Sequence, residues 1–136
     1  DTGLPGTIPV DGAGNNLGAT PDWKWLMIQS YETDDFSLLV QERWFSDGTY
    51  GNQYVVCAPG SCPASTSQRP TIDNNTLKGA FYVDIGATVN LTEEVTLYGK
   101  VDNLFDRDPE PSPIFNNPAL YDQIGRTYRA GVRFAF

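Results

Sequence analysis

Residue types that perform most enzyme chemistry are sparse in this chain. It contains no histidine, which removes Ser-His-Asp and Cys-His arrangements and every histidine-ligated metal. Two pairs of neighbouring acids occur, Asp34-Asp35 and Glu93-Glu94. Adjacent residues on an extended chain point in opposite directions, so neither pair can converge on a reacting atom as glycosidase carboxylates do. We therefore predict no catalytic residues, no cofactor-binding residues and no enzymatic activity.

A looser group of acids has the oxygen ligands that calcium prefers. Its members are Asp102, Asp106, Asp108 and Glu110. They lack the spacing and central glycine of an EF-hand, and two nearby prolines stiffen the segment. We predict no metal site, and calcium held by these loops is the alternative that the sequence leaves open.

The two cysteines, Cys57 and Cys62, enclose the residues Ala-Pro-Gly-Ser. Such a pair can close a small disulfide loop in an oxidising compartment. Two sulfurs without histidine or a second cysteine pair are too few ligands for zinc. A pair of free thiols is the other alternative, and we predict the disulfide.

Composition narrows the class of protein. The net charge is −8 and the nine Lys and Arg are scattered, so we expect no nucleic-acid partner, because phosphate binding needs clustered cations. Thirteen Gly, ten Pro, three Trp, seven Tyr and seven Phe are typical of a turn-rich, aromatic-rich β protein. No run of apolar residues is long enough for a transmembrane helix, whereas strands of a transmembrane barrel need only about 9–11 alternating residues.

Five segments alternate apolar and polar residues with the period of a β-strand. They are Trp23–Tyr31, Phe36–Phe45, Phe81–Val89, Val95–Phe105 and a last one from Arg126 to Phe136. Leu39 and Glu42 interrupt the second segment, where a short helix is the alternative. The pattern predicts an all-β fold, an antiparallel meander of about five amphipathic strands that is not closed on its own. It would be one section of a transmembrane β-barrel.

The connections between these segments are short and long in strict alternation. The short ones are 32–35 and 90–94, and the long ones are rich in Gly, Pro, Asn and Ser. Outer-membrane barrels have short periplasmic turns and long extracellular loops. We therefore divide the single segment 1–136 into a loop (1–22), a hairpin (23–45), a long external loop (46–77), a hairpin (78–105), an external loop (106–120) and a terminal strand (121–136).

Aromatic residues concentrate near the strand ends, at Trp23, Trp25, Tyr31, Trp44, Phe45, Phe105, Tyr121 and Phe136. Amphipathic rings at these depths are typical of the girdles at a membrane interface. The alternative is a core, since β proteins also bury aromatic rings.

The C-terminal half carries a characteristic series of motifs. A predicted strand is followed by Asp102, Asn103, Leu104, Phe105 and Asp106. The next loop is followed by Gly125 and Arg126. The last alternating strand contains Arg129, Gly131, Phe134 and Phe136. This series resembles the C-terminal end of TonB-dependent outer-membrane receptors, strongly over 77–136 and more loosely over 14–45. The spaced residues Arg129, Gly131, Phe134 and Phe136 resemble the signal by which the outer-membrane assembly machinery recognises barrel proteins. Asn103 and Asp106 should bond their own backbone and start a turn, while Leu104 and Phe105 cover the adjacent interface.

The resemblance implies a function. Members of this family carry a plug domain and a barrel of about 22 strands, and import a scarce nutrient with energy from a partner that pulls on the plug. This chain, which begins at Asp1 without methionine, would then be a C-terminal fragment in the bacterial outer membrane, with the long loops and the disulfide outside the cell. Its partners would be the rest of the barrel, the plug and outer-membrane lipid. Substrate contacts would come from the loops, and the substrate is not identifiable.

Two other functions remain open. Five strands cannot close a barrel, since small closed barrels need about eight, so the two strand edges could pair with identical copies into an extracellular fibre or tube. A soluble, secreted β-sandwich that binds a ligand is the third alternative, although it explains neither the terminal Phe136 nor the alternating loop lengths.

Overall fold

The computed structural model describes residues 12–110 and 117–136. Predictions for 1–11 and 111–116, which belong to two of the predicted loops, lie outside this range. The described residues form no helix. Their strands are β1 Lys24–Glu32, β2 Phe36–Phe45, β3 Gly48–Thr49, β4 Val55–Val56, β5 Thr71–Ile72, β6 Thr76–Leu77, β7 Ala80–Asn90, β8 Val95–Asp102 and β9 Thr127–Phe134.

The five long strands form one sheet in the order β1-β2-β7-β8-β9. Every neighbouring pair in it is antiparallel, and the sheet does not close on itself. The prediction of an all-β, five-stranded antiparallel meander is therefore confirmed. Helices long and apolar enough to cross a bilayer are not found in the described part of the chain.

The strand register sorts side chains onto two faces, because residues directly opposite each other share a face. Trp25 lies opposite Trp44, which lies opposite Phe81. Likewise Val40, Ile85, Val101 and Tyr128 follow one another across four strands. We call this side the apolar face; Gln29 and Glu42 are its polar exceptions. The other side is the polar face, with Ser37, Gln41, Arg43, Asp84, Thr88, Lys100, Arg129 and Arg133.

Residues 36–45 form the continuous strand β2, whose side chains alternate between the two faces, so the short helix considered there does not form. Leu39 belongs to the polar face and Glu42 to the apolar face, as the register requires. Leu26 and Ile28 of β1 are further apolar residues on the polar face. The predicted amphipathic pattern is therefore cleanest in β7, β8 and β9.

Both short connections lie at one end of the sheet, which we call the turn end. The Thr33 amide donates to the Phe36 carbonyl at 2.8 Å, and the Leu91 amide donates to the Val95 carbonyl at 2.9 Å. The amide of Asn90 donates to the Asp35 carbonyl at 2.8 Å and joins the two turns. The long connections consequently leave from the opposite end, the loop end.

The long connection between β2 and β7 contains more structure than the predicted loop 46–77. Strands β3 and β6 pair antiparallel, and β4 pairs with β5 in parallel. Cys57 and Cys62 are disulfide-bonded with their Cα atoms 5.2 Å apart, which confirms that prediction. Periodicity did not reveal these strands because each has only two residues, too few to display a period.

Strand β8 ends at Asp102 rather than at the predicted Phe105. Asn103 has φ 52°, a left-handed conformation that no β-ladder can contain. Strand β9 runs over Thr127–Phe134 and so is shorter than predicted at both ends.

A small core covers the polar face at the loop end. It comprises Phe45, Ala80, Tyr82, Leu120 and Tyr121, all at most 7% exposed. The rings of Phe45 and Tyr121 meet edge to face at 5.0 Å, and the Tyr121 hydroxyl donates to the Lys78 carbonyl at 2.6 Å. The connection between β8 and β9 thus folds back over the sheet instead of projecting away from it.

Residues 12–22 are tied to both long connections. The fully buried Asn16 donates its side-chain amide to the Ser46 carbonyl at 3.0 Å. The Thr49 amide donates to the Gly14 carbonyl at 2.6 Å, and the Asn117 side chain donates to the Leu17 carbonyl at 2.7 Å. Three segments that are distant in sequence therefore form one interlocked structure.

The Tyr121 anchor generates a prediction about pH. Burial raises the pKa of Tyr121 from 10.0 to about 12, so its stabilising contribution is complete below pH 10 and is lost as the pH rises through 12. Subtracting the phenolate absorbance titration of Tyr121→Phe from that of the unmodified chain should isolate one group titrating near pH 12. The variant should lose about 1–3 kcal/mol, because the Lys78 carbonyl loses its donor. A difference curve centred at pH 10 would contradict the buried position.

Candidate functional site

A densely hydrogen-bonded polar group lies where β8 ends. Asn103 is 1% exposed, and its backbone amide donates to Asp84 Oδ1 at 2.8 Å. Its side-chain nitrogen donates to the Arg107 carbonyl at 3.0 Å and to Asp122 Oδ2 at 2.8 Å, while Oδ1 accepts from the Arg107 amide at 2.9 Å. We call Asp84, Asn103, Asp106, Asp122 and Arg126 the junction.

The backbone of the junction explains its residue types. Asn103 and Asp106 have φ values of 52° and 53°, in the left-handed region that Asn and Asp tolerate best after Gly. The side chain of Asn103 closes the turn by bonding to the backbone of Arg107. Asn103 thus makes the local backbone bonds expected of it, whereas the Asp106 side chain bonds to the distant Arg126 and not to its own backbone.

Asp106 connects this turn to the start of β9. Its Oδ1 accepts from the Arg126 amide at 2.9 Å, and its Oδ2 lies 3.7 Å from Arg126 Nη2. Arg126 Nη1 also donates to the Leu104 carbonyl at 3.3 Å. Gly125 has φ 83°, and a Cβ there would lie 3.3 Å from Asp106 Oδ1, so glycine suits both the conformation and the close approach.

The junction is also joined to the polar face of the sheet. Asp84 is 8% exposed and its Oδ2 accepts from Gln41 Nε2 at 3.4 Å. The Tyr82 hydroxyl accepts from the Asp122 amide at 3.1 Å. The Arg43 guanidinium lies 4.5 Å from the centre of the Tyr82 ring, a distance suited to a cation–π interaction.

A second charged cluster lies on the same face. Asp102 Oδ1 is 2.6 Å from Lys100 Nζ, and Oδ2 pairs with the Arg129 guanidinium and accepts from Thr127 Oγ1 at 3.4 Å. Between this cluster and the junction is a cleft of about 410 Å³ lined in part by Arg43, Asp122 and Ile124. Charges of both signs thus face one another across the polar side of β7, β8 and β9.

These groups are best suited to holding β7, β8 and β9 together through hydrogen bonds and ion pairs. The carboxylates of the junction are engaged by backbone and side-chain amides and by the Arg126 guanidinium. Within residues 12–110 and 117–136, no three potential ligands among Cys, Asp and Glu are gathered for a metal ion. The candidate calcium ligands Asp102 and Asp106 are instead paired with Arg129 and Arg126.

Five of the seven predicted motif residues lie at the junction or beside it, and Leu104 and Phe105 do not take part through their side chains. Asn103, Asp106, Gly125 and Arg126 meet at the junction, and Asp102 lies in the adjoining ion cluster. Leu104 contributes its backbone, donating to the Val83 carbonyl at 2.7 Å. Phe105 is 65% exposed, so its ring is not packed in an interface within the sheet.

The residues of the predicted assembly signal do not form one cluster. Arg129 and Gly131 are on the polar face, Phe134 is on the apolar face, and Phe136 lies beyond β9 and is exposed. The ring of Tyr98 lies across Gly131, where a Cβ would come within 2.3 Å of the Tyr98 hydroxyl. Glycine at this position therefore has a local packing reason.

The apolar face is bounded by aromatic residues at both ends. Trp25, Trp44 and Phe81 form a row at the loop end, where the rings of Trp25 and Phe81 lie 6.0 Å apart. Tyr31, Phe36 and Phe134 lie towards the turn end. Phe36 and Trp44 are eight residues apart on β2, which corresponds to about 26 Å at ~3.3 Å per residue.

Sequence reasoning did not identify Tyr82, Asp84, Tyr121 or Asp122 as members of a site. One feature of the sequence could have indicated this site: alternation assigns Phe45 and Tyr82, two large aromatic residues, to the polar face. Bulky aromatic residues in such positions need a cover, and here the loop around Tyr121 supplies it.

Comparisons of the chain with protein-family models, with curated proteins and with solved structures gave no match.

Two variants at Asn103 separate its side-chain bonds from its backbone conformation. Asn103→Ala should cost about 2–4 kcal/mol of folding free energy, because it unpairs Asp122 and the Arg107 backbone and leaves alanine in a left-handed conformation. Asn103→Gly should lose the same bonds but cost about 1 kcal/mol less. Chemical denaturation in detergent measures both. Equal stability of all three proteins would show that the junction does not stabilise the sheet.

Proposed function

We propose that this chain is the C-terminal section of the transmembrane barrel of a TonB-dependent receptor, which imports a nutrient across the bacterial outer membrane. The observation that carries the proposal is the apolar face, which extends across five strands with Gln29 and Glu42 as its polar exceptions and has aromatic residues towards both ends. The distance from Trp44 to Phe36 along β2, about 26 Å from ~3.3 Å per residue, corresponds to the ~25 Å apolar band of outer-membrane barrels.

The exposure of this face supports the proposal. Trp25, Leu97, Val132 and Phe134 are between 38% and 60% exposed, although a protein in water would bury residues of this kind against a second layer. Within the described residues, no second layer covers them. Lipid would supply the missing contact.

The polar face is suited to the interior of a barrel. Its charges are of both signs: Asp102 is paired with Lys100 and Arg129, and Asp84 accepts a hydrogen bond from the Asn103 amide, as expected for a surface next to water or a polar plug. The two long connections leave from the same end, which would be the extracellular side. The disulfide would then lie in an oxidising compartment.

The series Arg129, Gly131, Phe134 and Phe136 belongs to the same proposal as a recognition signal for barrel assembly. A full-length receptor with Phe134→Ser should reach the outer membrane in reduced amount, since the apolar contact at the end of β9 is lost. Its abundance in isolated outer membranes is the measurement, and an unchanged abundance would remove this part of the proposal.

A pair of variants on β7 tests which face contacts lipid. Ile85→Arg places a cation near the middle of the apolar face and should cost about 2–4 kcal/mol in a bilayer. Thr88→Arg is the matched control, three residues away on the polar face, and should cost less than about 1 kcal/mol there. Equilibrium unfolding from lipid vesicles measures both. Equal costs for the two variants, or a larger cost for Thr88→Arg, would contradict a lipid-facing apolar side.

Self-assembly through strand edges is the second candidate function, because β1 and β9 each have one edge unpaired within the described residues. Such an edge presents backbone N–H and C=O groups that another strand can bind. In this case the 136-residue chain should form large β-rich particles in detergent-free buffer and remain in them when lipid is added.

Sedimentation distinguishes the two candidates. A receptor section should leave the particles and associate with vesicles, whereas a structural assembly should not. A soluble monomer of 15.0 kDa with dispersed β-sheet spectra would contradict both and favour a secreted binding module.

A further inference from the structure

A pocket of about 410 Å³ lies at the loop end of β1 and β2. Its lining includes Lys24, Leu26, Arg43, Phe45 and Leu120, which the register and the small core place on the polar face. Two cations are thus combined with three apolar side chains, and none of the described residues that line the pocket is acidic. Small-molecule sites are commonly of this size and mostly apolar, with a few polar groups at fixed positions.

The strand register places the two cations next to each other. Lys24 lies opposite Phe45, and Leu26 lies opposite Arg43. Lys24 and Arg43 are therefore diagonal neighbours on one face of an antiparallel pair. Such neighbours are separated by about 7–8 Å, which long side chains can span, so both cations can reach a single anion.

The Arg43 guanidinium is held against an aromatic ring. It lies 4.5 Å from the centre of the Tyr82 ring, and Tyr82 is fully buried. The Nε atom of Arg43 is buried and has no hydrogen-bond partner in the described part of the chain. Arg43 also borders the cleft around Asp84 and Asp122, yet no ion pair joins it to either within the described ranges. A guanidinium with a fixed position and no counter-charge is well suited to bind a carboxylate.

Exposed apolar surface lies directly beside these charges. Leu26 is 60% exposed and Ile28, the next residue of β1 on the same face, is 57% exposed. Exposed apolar surface rimmed by polar groups is typical of a binding site. Lys24 is also exposed, and it forms no ion pair with the residues that the structure describes.

We propose that this pocket binds a small organic anion, a carboxylate attached to an apolar group. The carboxylate binds between Lys24 and Arg43, and the apolar group covers Leu26. Under the proposed function the polar face lines the lumen and the loop end is extracellular, so this ligand defines the class of nutrient that the receptor imports. The role as imported nutrient rests on the proposed function, whereas binding to the pocket does not.

NMR titration of the 136-residue chain in a non-ionic detergent tests the site directly. The probes are phenylacetate, its neutral and similarly shaped amide phenylacetamide, and acetate, which lacks the apolar group. We expect phenylacetate to shift the backbone amide signals of Leu26 and Arg43. It should bind about tenfold more tightly than phenylacetamide, as expected for a charge-assisted pair, and more tightly than acetate.

Three variants separate charge from apolar contact. Lys24→Gln should lower the affinity for phenylacetate about tenfold, and it should leave the sheet intact because the Lys24 side chain is exposed. Arg133→Gln is the matched control, because Arg133 is an exposed cation of the same face on β9 and does not line the pocket. It should bind like the unmodified chain. Leu26→Ser should abolish the preference for phenylacetate over acetate.

Three results would overturn the proposal: equal affinity for phenylacetate and phenylacetamide, equal affinity of the Lys24 and Arg133 variants, or an unchanged preference for phenylacetate over acetate in Leu26→Ser. The titration in detergent also separates this proposal from the proposed function. A chain that shows the expected binding but fails to enter vesicles contradicts the membrane location alone. A chain that enters vesicles and shows any of the three results contradicts the anion pocket alone.

Discussion

The antiparallel register of the five-stranded sheet is the constraint on which the other features depend. Side chains alternate between faces along each strand, so a slip of one residue in any pairing would transfer that strand's apolar residues to the polar face. The pairing of Val40 with Ile85 and of Ile85 with Val101 keeps three strands in phase, and the pairing of Val101 with Tyr128 adds the fourth. The aromatic row at the loop end, the polar face and the separation of loop end from turn end all follow from this phase.

Different devices hold this register at the two ends of the sheet. At the turn end, the Asn90 amide bonds to the Asp35 carbonyl and joins the two short turns. At the loop end, the Asn103 junction stops β8 abruptly and connects it to β7 through Asp84 and to the start of β9 through Asp106. Asn103 and Asp84, the buried members of this network, make it specific, because leaving either unpaired would be costly. Tyr121 and Asn16 then attach the remaining loop segments to the same end.

Alternation along the strands was sufficient to predict the sheet, because each long strand contains at least eight residues and repeats its pattern several times. The turn at Asn103 was also predictable, since Asn readily bonds the nearby backbone, whereas the bond from Asp106 to the distant Arg126 was not. The short ladders of the first long connection were not, because two residues carry no period. The contact between Asn117 and Leu17, 100 residues apart, and the cover that Tyr121 places on Phe45 depend on tertiary folding alone. Phe105 was expected to cover an adjacent interface, and its ring is 65% exposed.

Strand direction provides an argument between the two proposed functions. Strands β1, β7 and β9 run from the loop end to the turn end, so the two edges of the sheet, β1 and β9, run in the same direction. If copies joined β9 to a neighbour's β1 with their loops on one side, the seam would be parallel, which is the less stable pairing. Antiparallel pairing of β9 with another β9 would keep the apolar faces together but would place the loops at opposite ends. An odd number of additional strands could pair antiparallel with both β1 and β9. Such strands would bond the backbone of both edges, extend the apolar face and keep all long loops at one end. An odd number added to these five also gives the even total of bacterial outer-membrane barrels, so the geometry of the edges favours the rest of a barrel over further copies of this chain as their partner.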